Sequence, residues 1–116
     1  MKKLALAAFV ALLASPAYAT GGVVCRTAGP HPLEAALVIS HTAVSAIVSA
    51  RLSDSGRDVP VAVAQSWMEP GEIRLDLTDR NAARHELRLR AKRNGPFYDG
   101  SVWRSGQRRW IRCREG

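Results

Sequence analysis

The chain has 116 residues, of which 47% are hydrophobic and 23% are charged, and its formal net charge is +7. A chain of this length forms one domain around a single core, which excludes a second domain. No internal repeat or low-complexity segment interrupts the sequence.

The first nineteen residues have the three parts of a signal peptide. The basic start MKK is followed by the apolar run LALAAFVALLA and by AYA, a small-x-small cleavage site that ends at Ala19. The apolar run is too short to span a bilayer. We therefore expect residues 1–19 to be removed, leaving one domain over residues 20–116. The mature form is predicted to be a bacterial protein of the periplasm, or a secreted one, without a transmembrane segment.

Positive charge is concentrated in the second half of the mature chain. Fifteen basic and ten acidic residues follow Ala19, a net charge of +5, and residues 71–116 contain twelve of the basic and six of the acidic ones. Such asymmetry is typical of a surface that binds anions. Arginines that project from exposed strands and keep a sheet soluble give the same pattern, and from the sequence this second interpretation is the favoured one.

Turn-forming segments divide the mature chain into eight predicted strands. These segments are GPHP, SDSGRD, EPG, RNGP and SG. The predicted strands lie near residues 22–27, 33–40, 46–53, 60–67, 71–78, 85–92, 97–104 and 107–114.

The clearest alternation of apolar and polar residues lies in GEIRLDLT and HELRLRAK, which predicts two half-buried strands. If Leu75 lies opposite Leu89, then Asp76 lies opposite Arg88. Cross-strand charges then favour the same register as the apolar face, so we predict a hairpin.

The segment from Leu33 to Leu52 fits two kinds of structure. Its alanines and its length suit a helix, whereas its β-branched valines and isoleucines favour strands. We predict two strands.

Eight short strands on adjacent turns predict an all-β fold. The expected architecture is a single small antiparallel β-barrel, an up-and-down meander of about eight strands, with a flattened sandwich as the alternative.

The first and last strands are then antiparallel neighbours, and they contain Cys25 and Cys113. An oxidising compartment favours a disulfide between them, which would stabilise the fold by about 4 kcal/mol. Free thiols or metal ligands are the alternative, but the chain has no CxxC spacing.

The last predicted hairpin carries the most distinctive composition. A two-residue turn at Ser105 and Gly106 would pair Trp103 with Arg108 and Tyr98 with Cys113. Aromatic and arginine side chains on its outer face can stack as cation–π pairs or bind an anionic or cyclic ligand. The candidate ligand-binding residues are Trp103, Arg104, Arg108, Trp110, Arg112 and Arg114.

No catalytic motif is present in the sequence. His31, His41 and His85 fall on different predicted elements without metal-ligand spacing. There is no GxSxG elbow for a serine nucleophile, and Glu69 and Glu72 flank a turn. We therefore expect neither enzyme activity nor a metal or other cofactor.

The stretch FYDGSVWRSG, from Phe97 to Gly106, resembles the tyrosine-glycine-tryptophan-x-basic-glycine segment of the periplasmic and membrane-bound inhibitors of C-type lysozyme. The resemblance covers about ten residues. It implies a small exported eight-stranded barrel with a late cysteine. In that family a serine and a lysine enter the lysozyme cleft, and the lysine position falls here at Arg104 or Ser105. Because a basic chain is repelled by a basic lysozyme, the resemblance bears more on the fold than on the activity.

The sequence therefore predicts an exported, non-enzymatic binding module. Its expected partner is an anionic envelope component or an acidic protein, and no nucleic acid is expected in vivo. The alternative is an inhibitor of a cell-wall hydrolase that acts through the Tyr98–Gly106 hairpin. A lipocalin-like carrier is disfavoured, because side chains fill most of the interior of an eight-stranded barrel.

Overall fold

The computed structural model describes residues 20–40 and 46–116. The predicted signal peptide, residues 1–19, lies outside the described residues, and so does His41. Within the described ranges no helix is present that could cross a membrane.

All eight predicted strands are present, and the described residues contain one further short strand. The nine strands are β1 (Thr20–Arg26), β2 (Leu33–Ser40), β3 (Ala46–Asp54), β4 (Arg57–Val59), β5 (Ala62–Glu69), β6 (Glu72–Thr78), β7 (His85–Asn94), β8 (Phe97–Arg104) and β9 (Gln107–Glu115). They form one antiparallel sheet in the order β4-β3-β2-β1-β9-β8-β7-β6-β5. The sheet curls into a half-barrel, so the predicted all-β antiparallel fold is confirmed.

The first and last strands are neighbours at the middle of this sheet. Cys25 on β1 lies directly opposite Cys113 on β9, and their sulfur atoms form a disulfide with an S–S distance of 2.05 Å. The predicted disulfide and the predicted pairing of the two strands are therefore both confirmed.

The sheet ends near Pro60, where the chain changes its pairing partner. Residues 57–59 pair with β3, and from Ala62 onward the chain pairs with β6 instead. Proline has no backbone N–H to donate, so it interrupts a strand at such a point. The result is the short strand β4. Among the described residues no backbone ladder joins β3 to β5, so the curled sheet does not close into a complete barrel. These two strands still lie side by side, and the Ser66 hydroxyl donates to the Ile47 carbonyl at 3.4 Å.

The described parts of the segment from Leu33 to Leu52 are strands, as predicted. Leu33, Ala35, Leu37 and Ile39 alternate as buried residues along β2, with more exposed residues between them. This period of two places every second side chain on one face of a sheet, a pattern that no helix produces.

The core lies inside the curl and is apolar. Each long strand contributes alternating side chains to it, so the inner and outer faces are set by the strand period. Its largest fully buried side chains are Val23, Cys25, Leu37, Leu52, Ile73, Leu75, Leu77, Leu87, Leu89, Val102, Ile111 and Cys113.

The backbone of β7 leaves no room for a side chain at Gly100 on β8. A Cβ atom at this position would overlap the carbonyl oxygen of Arg90 and lie 2.7 Å from the Cα of Ala91. Both neighbours are backbone atoms, so a side chain here forces the two strands apart.

We expect Gly100→Ala to lower the free energy of unfolding by about 1–3 kcal/mol, the usual range for overpacking. Gly71→Ala is the matched control, because a Cβ there meets no atom within 4 Å, and it should change stability by less than about 0.5 kcal/mol. Denaturant unfolding of both variants measures the difference. Equal stability of the two variants would contradict the close approach.

Loss of the disulfide should destabilise the fold strongly. It closes a loop with a sequence separation of 88, so Cys113→Ser should lower the free energy of unfolding by about 3–5 kcal/mol. Adding Cys25→Ser should change this by less than about 0.5 kcal/mol, because both substitutions remove the same bond. Melting curves with and without reductant test this, and a melting temperature indifferent to reductant would refute it.

Candidate ligand-binding face

The outer surface of β6 to β9 carries most of the aromatic and basic side chains that the sequence analysis selected. Backbone pairing aligns them in rows across the strands. We call this surface the basic-aromatic face, and its residues are Arg74, Asp76, Arg88, Arg90, Lys92, Phe97, Asp99, Ser101, Trp103, Arg108, Trp110, Arg112 and Arg114.

The predicted register of the last hairpin is confirmed. Trp103 lies opposite Arg108, and Tyr98 lies opposite Cys113. The connecting residues, Ser105 and Gly106, have φ angles of 53° and 78°, as a two-residue turn with two positive φ angles requires. Tyr98 and Cys113 are buried. The residues directly before and after each of them therefore face outward, as does every second residue from there along β8 and β9.

Trp103 lies between two arginines in one row of this face. Arg88 on β7 and Arg108 on β9 are its direct cross-strand neighbours. The Nε of Arg108 donates to the Ser101 hydroxyl at 2.9 Å, and the Nε of Arg88 donates to Asp76 at 3.3 Å. The terminal Nη atoms of both arginines donate to none of the described residues. Two guanidinium groups with unused donors therefore flank one indole ring.

A shallow groove of about 520 Å³ lies at this row. It is lined by His85, Arg88, Arg90 and Trp103. We call it the Trp103 groove.

Asp76 holds the basic side chains of β7 in place. Only 8% of Asp76 is exposed, although it points outward, because side chains of β7 cover it. It accepts hydrogen bonds from Arg90 at 3.1 and 3.4 Å and from Arg88, and the Nε2 of His85 lies 4.0 Å away. Burial raises the pKa of this carboxyl group, but the hydrogen bonds and charges of Arg90 and Arg88 outweigh it and lower the pKa overall. One carboxylate thus orients two arginines.

Arg112 is held by a carboxylate and by two aromatic rings. Its guanidinium donates to both oxygens of Asp99, at 2.7 and 2.9 Å. It also lies 4.2 Å from the ring centroid of Phe97 and 5.3 Å from that of Trp110, within cation–π range. The aromatic and arginine stacking that the sequence suggested is therefore present, and it orders this side chain before any ligand binds.

The two remaining outward candidates are more exposed. Trp110 is 54% exposed. Arg114 lies opposite Phe97 and donates to none of the described residues. Both are accessible to a partner.

Arg104 occupies a different place from the other five candidates. It follows Trp103 in β8, so the strand period turns it toward the inner side, at one end of the curl. There it donates to Asp54 at 2.9 Å and to Glu86 at 2.9 Å, and its side chain is largely buried. The hydrogen bond from Arg104 lowers the pKa of Asp54. These contacts join β3, β7 and β8, and they give Arg104 a role in holding that end of the sheet together.

Sequence reasoning missed the part of the face that lies on β5 and β6. Trp67, which the sequence analysis did not select, lies on the outer side of β5 and is 53% exposed. It stands opposite Arg74, whose guanidinium lies 5.8 Å from its ring centroid. The alternation in GEIRLDLT already places Arg74 outward, so it could have been selected. Trp67 could not, because AVAQSWME has no regular alternation of apolar and polar residues that would show which side it faces.

The described histidines do not form a metal centre. In the ranges the structure covers, no group of three or more His, Cys, Asp or Glu side chains could hold a metal ion. The carbonyl group of His31 accepts a hydrogen bond from Arg109 at 2.9 Å.

A comparison of the chain with family models, with curated proteins and with solved structures finds no match. The resemblance to the lysozyme inhibitors therefore stays a prediction.

The pairing of Asp99 with Arg112 should be visible in a pH titration. The hydrogen bonds from Arg112 and from Asn94 lower the pKa of Asp99 from 3.8 to about 2. Because the folded-state pKa is the lower one, the pair stabilises the fold above pH 3.8 and loses this effect as the pH falls towards 2. We expect Arg112→Gln to return the pKa towards its ordinary value, and Asn94→Ala to do so by less. NMR titration of the Asp99 carboxyl group measures this, and an unchanged pKa in Arg112→Gln would contradict it.

Proposed function

We propose that the protein is an exported, non-enzymatic binding module whose basic-aromatic face binds an anionic component of the cell envelope or an acidic protein. The observation that carries the proposal is the row formed by Arg88, Trp103 and Arg108. Guanidinium groups are suited to carboxylate and phosphate groups, and an indole between them offers a flat apolar surface.

The arrangement of charges on the face supports anion binding over a purely solubilising role. Arginines that only keep a sheet soluble need no fixed orientation. Here Asp76 orients Arg88, and Ser101 orients Arg108, while the Nη atoms of both donate to none of the residues that the structure describes. Side chains that are already ordered lose less conformational entropy when a ligand binds.

The disulfide supports the exported location. Disulfides persist in oxidising compartments and are rare in the cytosol. The Cys25–Cys113 bond fits the signal peptide predicted for residues 1–19.

Substitution of Arg108 tests the proposal against a matched charge control. Arg108→Gln and Arg57→Gln each remove one positive charge from an exposed arginine, but Arg57 lies on β4, away from the basic-aromatic face. We expect Arg108→Gln to weaken binding of heparin, polyphosphate or poly-glutamate at least about tenfold, since a charge-assisted hydrogen bond contributes about 1.5–3 kcal/mol. Arg57→Gln should change the affinity far less.

Isothermal titration calorimetry at low and high salt measures these affinities. Binding should weaken as salt screens the charges. An equal effect of both substitutions would show binding by net charge alone and contradict the site. If none of the polyanions binds while a lysozyme is inhibited at micromolar concentration, the inhibitor alternative replaces this proposal.

A further inference from the structure

A second groove lies beside the Trp103 groove, on the part of the face that the sequence analysis missed. It has a volume of about 380 Å³ and is lined by Gln65, Ser66, Trp67, Arg74, Asp76 and Arg90. We call it the Trp67 groove. Arg90 lines both grooves, so they are contiguous.

The Trp67 groove repeats the chemistry of its neighbour. Each groove has one tryptophan as an apolar wall and arginines beside it. Arg74 lies over the ring of Trp67 and is held by Glu72, which accepts hydrogen bonds from it at 3.0 and 3.3 Å. A carboxylate therefore orients an arginine in this groove as Asp76 does in the other. An indole that is 53% exposed contributes little to the core, so burial does not account for its position.

We propose that the two grooves together bind one acidic polysaccharide, with a sugar ring against Trp67, another against Trp103, and carboxylate groups of the polymer on Arg74 and Arg88. The inference rests on the anion-binding function proposed above and names the ligand class for it. The apolar C–H faces of a sugar ring pack on an indole, and its carboxylate accepts paired hydrogen bonds from a guanidinium group.

The spacing of the grooves requires a polymer. Trp67 on β5 and Trp103 on β8 are separated by three strand spacings, about 14 Å along the sheet. A disaccharide cannot contact both rings. The grooves are also shallow and open along the face. A polymer can lie along such a surface, whereas a small molecule would not be enclosed by it.

The carboxylates of the face favour a polysaccharide over a nucleic acid. Asp76 lies next to Arg74 on β6 and opposite Arg88, and Glu72 lies on the other side of Arg74, opposite Lys92. The carboxylate of Glu72 repels a phosphodiester backbone, which carries a charge at every nucleotide, whereas it can accept hydrogen bonds from sugar hydroxyl groups. A polymer of low charge density with many hydroxyl groups matches this mixture of signs.

Oligogalacturonates of different lengths test the inference in the full mature chain. We expect the hexamer to bind about tenfold more tightly than the dimer, which corresponds to about 1.4 kcal/mol, and we expect Trp67→Ala to remove this gain. Val38→Ala is the control, because Val38 is an exposed apolar residue on β2 that lies outside the basic-aromatic face and lines neither groove. It should leave the ratio of hexamer to dimer affinity as in the wild type.

The outcomes separate this inference from the function it rests on. If polyphosphate and poly-glutamate bind but the hexamer gains nothing over the dimer, or if Trp67→Ala keeps the gain, the two-groove site is refuted and the anion-binding face stands. Tighter binding of an oligothymidylate than of the hexamer, or equal binding of uncharged dextran oligomers, also refutes the acidic polysaccharide. Failure of every probe refutes the proposed function itself. Melting temperatures of the variants establish that each is folded.

Discussion

The pairing of β1 with β9 at Cys25 and Cys113 determines which side chains of the sheet face outward. A disulfide between directly opposed residues fixes the register of the two strands, because neither can slip past the other without breaking the bond. In a sheet, a slip of one residue moves every side chain to the opposite face. The outward direction of Arg112, two strands away from Arg88, depends on this fixed register.

The same face shows how a basic surface can be ordered without a ligand. Asp76, Asp99 and Glu72 each accept hydrogen bonds from an arginine of the face. Isolated surface ion pairs contribute little to stability. Their effect here is on orientation: they hold guanidinium groups beside aromatic rings, so the excess of positive charge becomes a set of directed donors. The charge asymmetry in the sequence indicated the excess but not this order.

The strand period explains which features the sequence predicted. Alternation in GEIRLDLT and HELRLRAK was enough to place Leu75 opposite Leu89, and the structure has this pair. The Ser-Gly dipeptide predicted the turn between β8 and β9. The same dipeptide, Ser55-Gly56, forms the turn between β3 and β4, with φ angles of 53° and 85°, but a strand of three residues ending before Pro60 is too short for a periodic signal. The partners of Arg104 also escaped prediction, because Asp54 is fifty residues away in sequence and only the curl of the sheet brings it close.

The first and last strands of the described domain lie inside the sheet and not at its edges. β1 and β9 are joined at the middle of the sheet, where the amide of Gly116 donates to the carbonyl of Gly22 at 3.0 Å, while the edges of the sheet lie on either side of Pro60. Every other pairing joins strands that follow each other in the chain, so the single long-range closure is the slow step expected in folding. A circular permutant that links Gly116 to Thr20 and opens at Pro60 would turn the sheet into a plain succession of hairpins from one edge to the other. The disulfide would then close only one short hairpin instead of a loop that contains nearly the whole domain. Its entropic stabilisation would become small, because the new peptide connection between β9 and β1 already holds these two strands together.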